Sequence, residues 1–397
     1  MPEYVLLHLA IALAAAKVGG EICDRWLKQP AVLGELLCGV LVGTSVLNWV
    51  PGSDQTLGAL AEIGAVLLLF EVGMASDLGE LFQVGLSALW VAAAGVVLPF
   101  VGGYLAAEWL GCSTIEAVFV GAALTATSVG ITARVFSDLH LLDTREARVV
   151  LGAAVADDVI GLVILAVLSG LAVTQTVTVS GVLRVSAVAV AFLVGAIAIG
   201  SWVTPLILGV AHRMRTRAAL SSAAVILCLL VSSVASLAQL APIVGAFAAG
   251  LVLAKAEHRV HFEEKLKAVA DLFVPVFFVM MGARMDLSML SPATAAGRHG
   301  LSIGVVLLLV AVVGKVVAGL TAPDRGVRRL MVGLGMIPRG EVGLIFAGMG
   351  MKMAVIPSSL YAAIVFVVVG TTFLTPPLLK ACAGAAVRRA RDLPSAA

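Results

Sequence analysis

AEIGAVLLLFEVGMASDL (Ala61–Leu78) returns 209 residues later as ADLFVPVFFVMMGARMDL (Ala270–Leu287), keeping an acid at the second place, one glycine and the closing Asp-Leu. Two further stretches repeat at nearly the same spacing. VLGELLCGVLVG (32–43) matches IVGAFAAGLVLA (243–254), 211 residues on, and TATSVGI (125–131) matches PRGEVGL (338–344), 213 residues on. Each match is weak by itself, but three in one order at almost one offset indicate an internal duplication. What is duplicated depends on the medium that surrounds these apolar runs.

Composition answers that. Of 397 residues, 61% are hydrophobic and 13% charged, and the mean hydropathy of +1.10 is that of a chain that spends most of its length in lipid. Apolar runs of about 20 residues give about thirteen transmembrane helices, with cores at 4–23, 31–50, 57–75, 84–105, 114–136, 148–173, 183–208, 218–237, 241–255, 268–290, 300–320, 327–351 and 357–382. The first run has no basic residue ahead of it and is read as a retained helix rather than a signal peptide. With the N-terminus outside, alternate loops are cytoplasmic and hold 18 of the 26 Lys and Arg residues, which orients the chain with its C-terminus inside. The loop SDLGELFQ (76–83), without a basic residue, is the exception.

The repeat then relates spans one to six with spans eight to thirteen, the seventh being a linker. Matched spans lie seven apart, an odd number, so they run in opposite directions. Inverted repeats are a secondary-transporter architecture, with the substrate site near the midplane. The expected fold class is an all-α polytopic membrane protein of two inverted six-helix repeats. In the fifth span Thr125, Thr127, Ser128, Gly130 and Thr132 fall at mid-depth, and in its mate Pro338, Arg339, Gly340 and Glu341 do. Helix breakers and polar groups at matched positions mark two discontinuous helices that cross, their like dipole ends brought together. Arg339 and Glu341 are placed to neutralise those ends. The simpler alternative is a proline kink with a local ion pair.

GAAVADDVIGLVIL (152–165) sets Asp157 and Asp158 side by side, about 14 Å into a ~30 Å core. An intramembrane charge costs roughly 2.5 to 3.5 kcal/mol on insertion scales, so such residues are functional candidates. Neighbouring helix positions diverge by about 100°, so the two carboxylates cannot face the same way. Lys315, in VVLLLVAVVGKVVAG (305–319), is a basic residue without a polar neighbour of its own. One aspartate paired with it relieves both charges, and the other is left to bind a proton or a small hard cation through carboxylate, hydroxyl and carbonyl oxygens. A purely structural ion pair needs one acid, and the second has no place in it.

QPAVLGELLCGVLVG, ATSVGITARV, GAAVADDVIGLVIL, APIVGAF, VGKVV and PRGEVGLI together resemble the sodium/proton antiporters of the cation:proton antiporter superfamily, NapA-like and more distantly NhaA-like, over nearly the whole chain. The resemblance implies the NhaA-like fold, with Asp158 as the essential ion- and proton-binding acid and Asp157 as the partner of Lys315. It also sets Thr127 and Ser128 beside the ion, and makes Na+ at Asp158 and Asp157 the cargo. It implies a homodimer in membrane lipid, in a bacterial inner membrane, in which core helices move as an elevator. Residues 1–80 and 211–292 are then scaffold and dimerisation helices, 81–175 and 293–386 the core, and 176–210 the linker helix. A short basic tail follows at 387–397, where some relatives carry a nucleotide-binding regulatory domain.

The expected activity is exchange of Na+, and of Li+ as a second ion, for H+, with two protons per sodium; K+/H+ antiport is the near rival. No cofactor, nucleic-acid partner or enzymatic reaction is expected. An intramembrane aspartyl protease needs its two acids facing one another from separate helices, and a channel needs no proton-binding acid paired to a lysine. Cysteines at 23, 38, 112, 228 and 382 lack paired spacing and read as free thiols. His258 and His261 in KAEHRVHFEEKLK lack a third metal ligand and read as part of a solvated helix, with a role in pH response open to them. Glu62, Glu71, Asp271 and Asp286 are expected at helix ends or interfaces.

Overall fold

The computed structural model describes residues 4–75, 78–174, 179–214, 219–238, 240–254, 259–285, 295–324, 326–353 and 355–392. Fifteen α-helices run through them: α1 (Val5–Glu21), α2 (Ala31–Val42), α3 (Gln55–Ala75), α4 (Leu78–Trp109), α5 (Thr114–Ala123), α6 (Val129–Asp138), α7 (Arg145–Thr174), α8 (Val179–Arg213), α9 (Ala219–Leu237), α10 (Pro242–Leu253), α11 (Arg259–Ala283), α12 (Ala295–Leu320), α13 (Arg329–Gly335), α14 (Glu341–Lys352) and α15 (Ser358–Asp392). A π-helical turn, Ile22–Trp26, extends α1. Among the described residues, eight helices are long and apolar enough to cross a membrane, and α2, α5 and α10 are shorter apolar helices. All five cysteines are free thiols.

Three boundaries differ from the apolar runs. The run 31–50 is helical only to Val42, because the amides of Asn48 and Val50 turn back onto the carbonyls of Gly43 and Val42, with Asn48 in the left-handed region at φ 51°. Residues 78–83, read as loop, open α4. The runs 114–136 and 327–351 are each two short helices with a non-helical stretch between them. His258 and Asp286 lie outside the described residues, as does the side chain of His261.

The chain forms two compact units, Met1–Lys17 with Glu35–Leu86 and Asp158–Met285, and Val18–Gly34 with Ser87–Asp157 and Asp286–Ala397. The first is built on glycine. A Cβ added to Gly73 on α3 would collide with the Phe247 carbonyl oxygen on α10, and one on Gly250 with the Phe70 carbonyl oxygen. On α2 and α11 the pattern recurs: Gly39 meets the Val279 carbonyl and Gly282 the Leu36 carbonyl. Gly39 and Gly250 are 211 residues apart, and Gly73 and Gly282 are 209 apart, so the two contacts are mates under the sequence offsets. In lipid, apolar burial does not drive helices together, and backbone approach over small residues supplies the packing instead.

Two polar ties complete this unit. Asp54 caps α3, its Oδ1 accepting from the Thr56 and Leu57 amides, while Oδ2 lies 3.0 Å from Nδ1 of His8. Burial raises the Asp54 carboxyl, but these hydrogen bonds outweigh it and hold the group below its usual range. Within α11, Pro275 has no N–H to give the Asp271 carbonyl four residues earlier. Lys17 of α1 supplies the missing donor, with Nζ 3.1 Å from that oxygen.

In the second unit α12 lies against α13 and α15. A Cβ on Gly319 would strike the Gly333 amide, and one on Gly333 would come within 2.8 Å of the Val316 backbone. The glycines therefore seat the helix that bears Lys315 directly on α13.

Gly250→Ala should lower the thermal midpoint of the detergent-solubilised protein, since overpacking costs about 1–3 kcal/mol. Gly195→Ala on α8, where a Cβ meets nothing within 4 Å, should leave it unchanged or raise it slightly. Equal midpoints for the two variants, measured by size-exclusion after heating, would contradict the close-approach account.

Candidate functional site

Between α5 and α6 the chain leaves the helix over residues 124–128, and between α13 and α14 over 336–340. These two breaks touch. The Ser128 amide donates to the Pro338 carbonyl at 2.8 Å, and a Cβ on Gly340 would lie 2.9 Å from Ser128 Oγ, so a larger residue there would displace the serine hydroxyl. Thr132, one turn into α6, donates its hydroxyl to the Gly335 carbonyl at 2.7 Å. Each break leaves the last carbonyls of one half-helix and the first amides of the next without intrahelical partners. The two chains meet part of that need by bonding to one another.

Arg339 is fully buried. Its Nη1 lies 2.9 Å from the Ile337 carbonyl oxygen and 3.2 Å from that of Met336, so the guanidinium sits on the C-terminal end of α13, where partial negative charge collects. Its own backbone is held by α15: the Arg339 amide donates to Thr371 Oγ1 at 3.2 Å, and the Thr372 hydroxyl donates to the Arg339 carbonyl at 2.9 Å. The Thr371 hydroxyl in turn donates to the Val367 carbonyl, 2.7 Å away. Glu341 is the first residue of α14, at the positive end of that half-helix; its side chain lies outside the described residues.

Asp157 projects from α7 into this crossing. Lys315 Nζ lies 2.8 Å from its Oδ2, and both side chains are completely buried. The Thr127 hydroxyl donates to the same oxygen at 2.8 Å, with the Met336 carbonyl a longer 3.3 Å away. Oδ1 of Asp157 has no hydrogen-bond partner among the described residues. Asp158 follows on the same helix, partly buried and turned about 100° around the axis. At its first turn α7 is also tied to α13, because Glu146 Oε1 accepts from both the amide and Nε of Arg328, at 3.0 and 2.8 Å.

The structure thus brings Thr127, Asp157, Lys315 and Met336 together, and joins Ser128, Pro338, Gly340 and Arg339 at the crossing beside them. Sequence reading missed Thr371 and Thr372. Their signal is present in GTTFLTPP (370–377), where three hydroxyls interrupt an apolar span. A further group missed is the Gly95 backbone on α4, where a Cβ would stand 3.0 Å from Lys315 Nζ.

Chemically, the arrangement is a buried carboxylate with two donors on one oxygen, a second carboxylate beside it, and backbone carbonyls released by the helix breaks. Such a set suits protons and hard monovalent cations, which bind carboxylate, hydroxyl and carbonyl oxygen.

The family described as sodium/hydrogen exchanger, transmembrane, matches residues 10–381 of this chain. The chain is 41% identical to the high-affinity Na+/H+ antiporter NhaS3 of Synechocystis sp., across 95% of this chain and 89% of that protein. It is 36% identical to the Na+/H+-K+ antiporter GerN of Bacillus cereus, across 95% and 96%. The structure of the sodium proton antiporter MjNhaP1 from Methanocaldococcus jannaschii at pH 8 covers 96% of both chains with a TM-score of 0.66 at 19% identity, a likeness of fold. With the family match spanning both helix breaks, α7 and Lys315, this chain belongs to the sodium/hydrogen exchanger family of multispanning integral membrane transporters.

Proposed function

We propose that the protein exchanges Na+, and Li+ as a second ion, for H+ across the membrane, with Asp158 as the carboxylate that alternates between proton and cation. The observation that carries this reading is the buried Lys315–Asp157–Thr127 cluster at the contact of two helix breaks, with a second aspartate next along the helix. The high-affinity Na+/H+ antiporter at 41% identity supports it. GerN, named for Na+/H+ and K+ at 36% identity, favours K+ as the second reading.

In the proton-loaded site Asp158 is neutral and Asp157 is paired with protonated Lys315, so the charges sum to zero. When a cation binds both carboxylates, Lys315 leaves Asp157, and an ammonium deprived of its counter-ion in apolar surroundings gives up its proton. The sum is then minus one. Two protons exchange for one sodium, and each cycle draws about 2.3 kcal/mol per 100 mV from the membrane potential. Asp157 Oδ1, without a partner among the described residues, and the Thr127 and Ser128 hydroxyls are the further oxygens offered to the ion. Arg339 and Glu341 hold the helix ends while the ion passes.

Thr127, Ser128, Asp157, Lys315 and Arg339 belong to one compact unit, whose boundary falls between Asp157 and Asp158; an elevator movement of the core helices is the reading that the family resemblance favours. The matched glycine contacts Gly39–Gly282 and Gly73–Gly250 support the inverted repeat that such a mechanism uses. The chain is read as a homodimer with its N-terminus outside, the orientation that the basic residues favour.

Asp158→Asn, in reconstituted liposomes, should lose Na+-driven proton flux by about two orders of magnitude or more while eluting as the parent does, because an amide neither releases a proton nor neutralises a cation. Retained flux removes Asp158 from its role. Because proton and cation share one carboxylate, the apparent KM for Na+ should rise by up to about tenfold per unit fall in pH, with maximal rate less affected; a KM constant from about pH 6 to 8.5 contradicts the shared site. Lys315→Gln should exchange one proton per sodium and lose the parent's response to an imposed potential. If the active variant stays as voltage-sensitive as the parent, Lys315 is not the second proton carrier. Offering Na+, Li+ and K+ separately decides between the two cation readings.

A further inference from the structure

Pro99 lies inside α4, buried. A proline has no N–H, so the carbonyl four residues earlier, that of Gly95, loses the donor that an α-helix would give it. In a membrane interior such a carbonyl is met by a neighbouring group rather than by water.

The side chain beside this stretch is that of Lys315. A Cβ built on Gly95 would stand 3.0 Å from Lys315 Nζ, and one on Gly314, the residue before the lysine, would stand 3.2 Å from the Pro99 ring. Glycine at both positions lets α12 bring its lysine onto the stretch of α4 that holds Pro99. All four residues belong to the same compact unit.

The same device is complete elsewhere in the chain. Pro275 frees the Asp271 carbonyl within α11, and Lys17 Nζ donates to that oxygen at 3.1 Å. A proline-freed carbonyl is therefore an acceptor that a lysine of this protein uses.

We propose that the Gly95 carbonyl is the second seat of Lys315, which the lysine takes up once Asp157 turns to the cation. Pro99 and Gly95 are thereby positioning residues of the exchange. The proposal rests on the reading above in which Lys315 leaves Asp157 when the cation binds.

The chemistry is a hydrogen bond only. Protonated Lys315 has three N–H donors, and one points to Asp157 Oδ2 at 2.8 Å. After it loses its proton, the neutral amine keeps two N–H bonds and donates one to the Gly95 oxygen. Without the seat, a buried amine is left unsatisfied in the cation-bound state, and that state alone becomes harder to reach. The charged side chains that act on Lys315 among the described residues are Asp157 of α7 and the Arg339 guanidinium after α13. Neither is altered by a change at Pro99.

Pro99→Ala restores an N–H that closes the α4 ladder onto the Gly95 carbonyl and withdraws it from Lys315. In proteoliposomes the apparent KM for Na+ should rise about three- to tenfold. At fixed Na+, the pH of half-maximal exchange should move up by about half to one unit. The maximal rate at saturating Na+ and high pH should stay within about twofold of the parent. Gly95→Ala fills the approach to the seat while leaving Pro99 in place, and should raise KM in the same direction.

The effect must act through the lysine, so adding Pro99→Ala to Lys315→Gln should change KM no further. An unchanged KM and pH profile in both Pro99→Ala and Gly95→Ala overturns the seat. So does an equal rise in KM with and without Lys315, which would assign the effect to helix shape. A Lys315→Gln variant that keeps its response to membrane potential removes the underlying reading, and the seat with it; a voltage-insensitive one, together with no effect of Pro99→Ala in the parent, removes the seat alone. Where Lys315→Gln does not elute as a folded protein, the agreement or disagreement of Pro99→Ala with Gly95→Ala decides.

Discussion

An ammonium and a carboxylate held 2.8 Å apart, with no exposure of either side chain, form the interaction around which this chain is arranged. Neither charge has water to turn to, so each must find its oxygens and hydrogens in the protein. Lys315 finds the Asp157 carboxylate and stands beside the Gly95 backbone. Asp157 finds Lys315 and the Thr127 hydroxyl. Thr127 can reach it because the chain is not helical at that point, and the non-helical stretch survives because the second break, at Met336–Gly340, lies against it. Removing one partner leaves a buried charge exposed to an apolar surrounding, which is far costlier than the pair is stabilising.

The same demand for internal satisfaction explains the threonines of α15. Thr371 accepts the Arg339 amide and Thr372 donates to the Arg339 carbonyl, so the backbone on either side of a fully buried arginine is fixed. The guanidinium can then reach back over the C-terminal carbonyls of α13. Hydroxyls serve here because they give and accept in a small volume and carry no charge.

Packing in this protein comes from close backbone approach more than from side-chain bulk. Gly73 with Gly250, Gly39 with Gly282, and Gly319 with Gly333 each bring two helices to a separation that a single methyl group would prevent. Lipid tails are as apolar as leucine, so such contacts, rather than the hydrophobic effect, decide which helices adjoin. Around the site this matters for function. Gly319 and Gly333 fix α12 on α13, and Gly314 fixes it on Pro99, so backbone packing sets the point from which the lysine's stem reaches out.

The sequence by itself determined that the chain is helical and lives in lipid, since 61% hydrophobic residues in runs of membrane length leave little else. It determined that Asp157, Asp158 and Lys315 are the charges to explain, because the adjacent aspartates and the lysine each lie in an otherwise apolar run, and that residues 125–131 and 338–344 are matched interruptions. It did not determine, from the residues alone, which aspartate takes the lysine: adjacent positions differ only in direction around the helix, and that direction acquires meaning only when a partner 158 residues away is set beside it. Nor did it show that the run 31–50 stops being helical at Val42, since apolar content does not distinguish a helix from a turn packed within protein. The contacts of Thr371 and Thr372 were equally out of reach, although the hydroxyls of GTTFLTPP mark the place. Each bonds the Arg339 backbone, outside its own helix, and a carbonyl or amide has the same sequence signature everywhere. Only the tertiary structure, by bringing those helices within hydrogen-bond distance, gave these residues something to do.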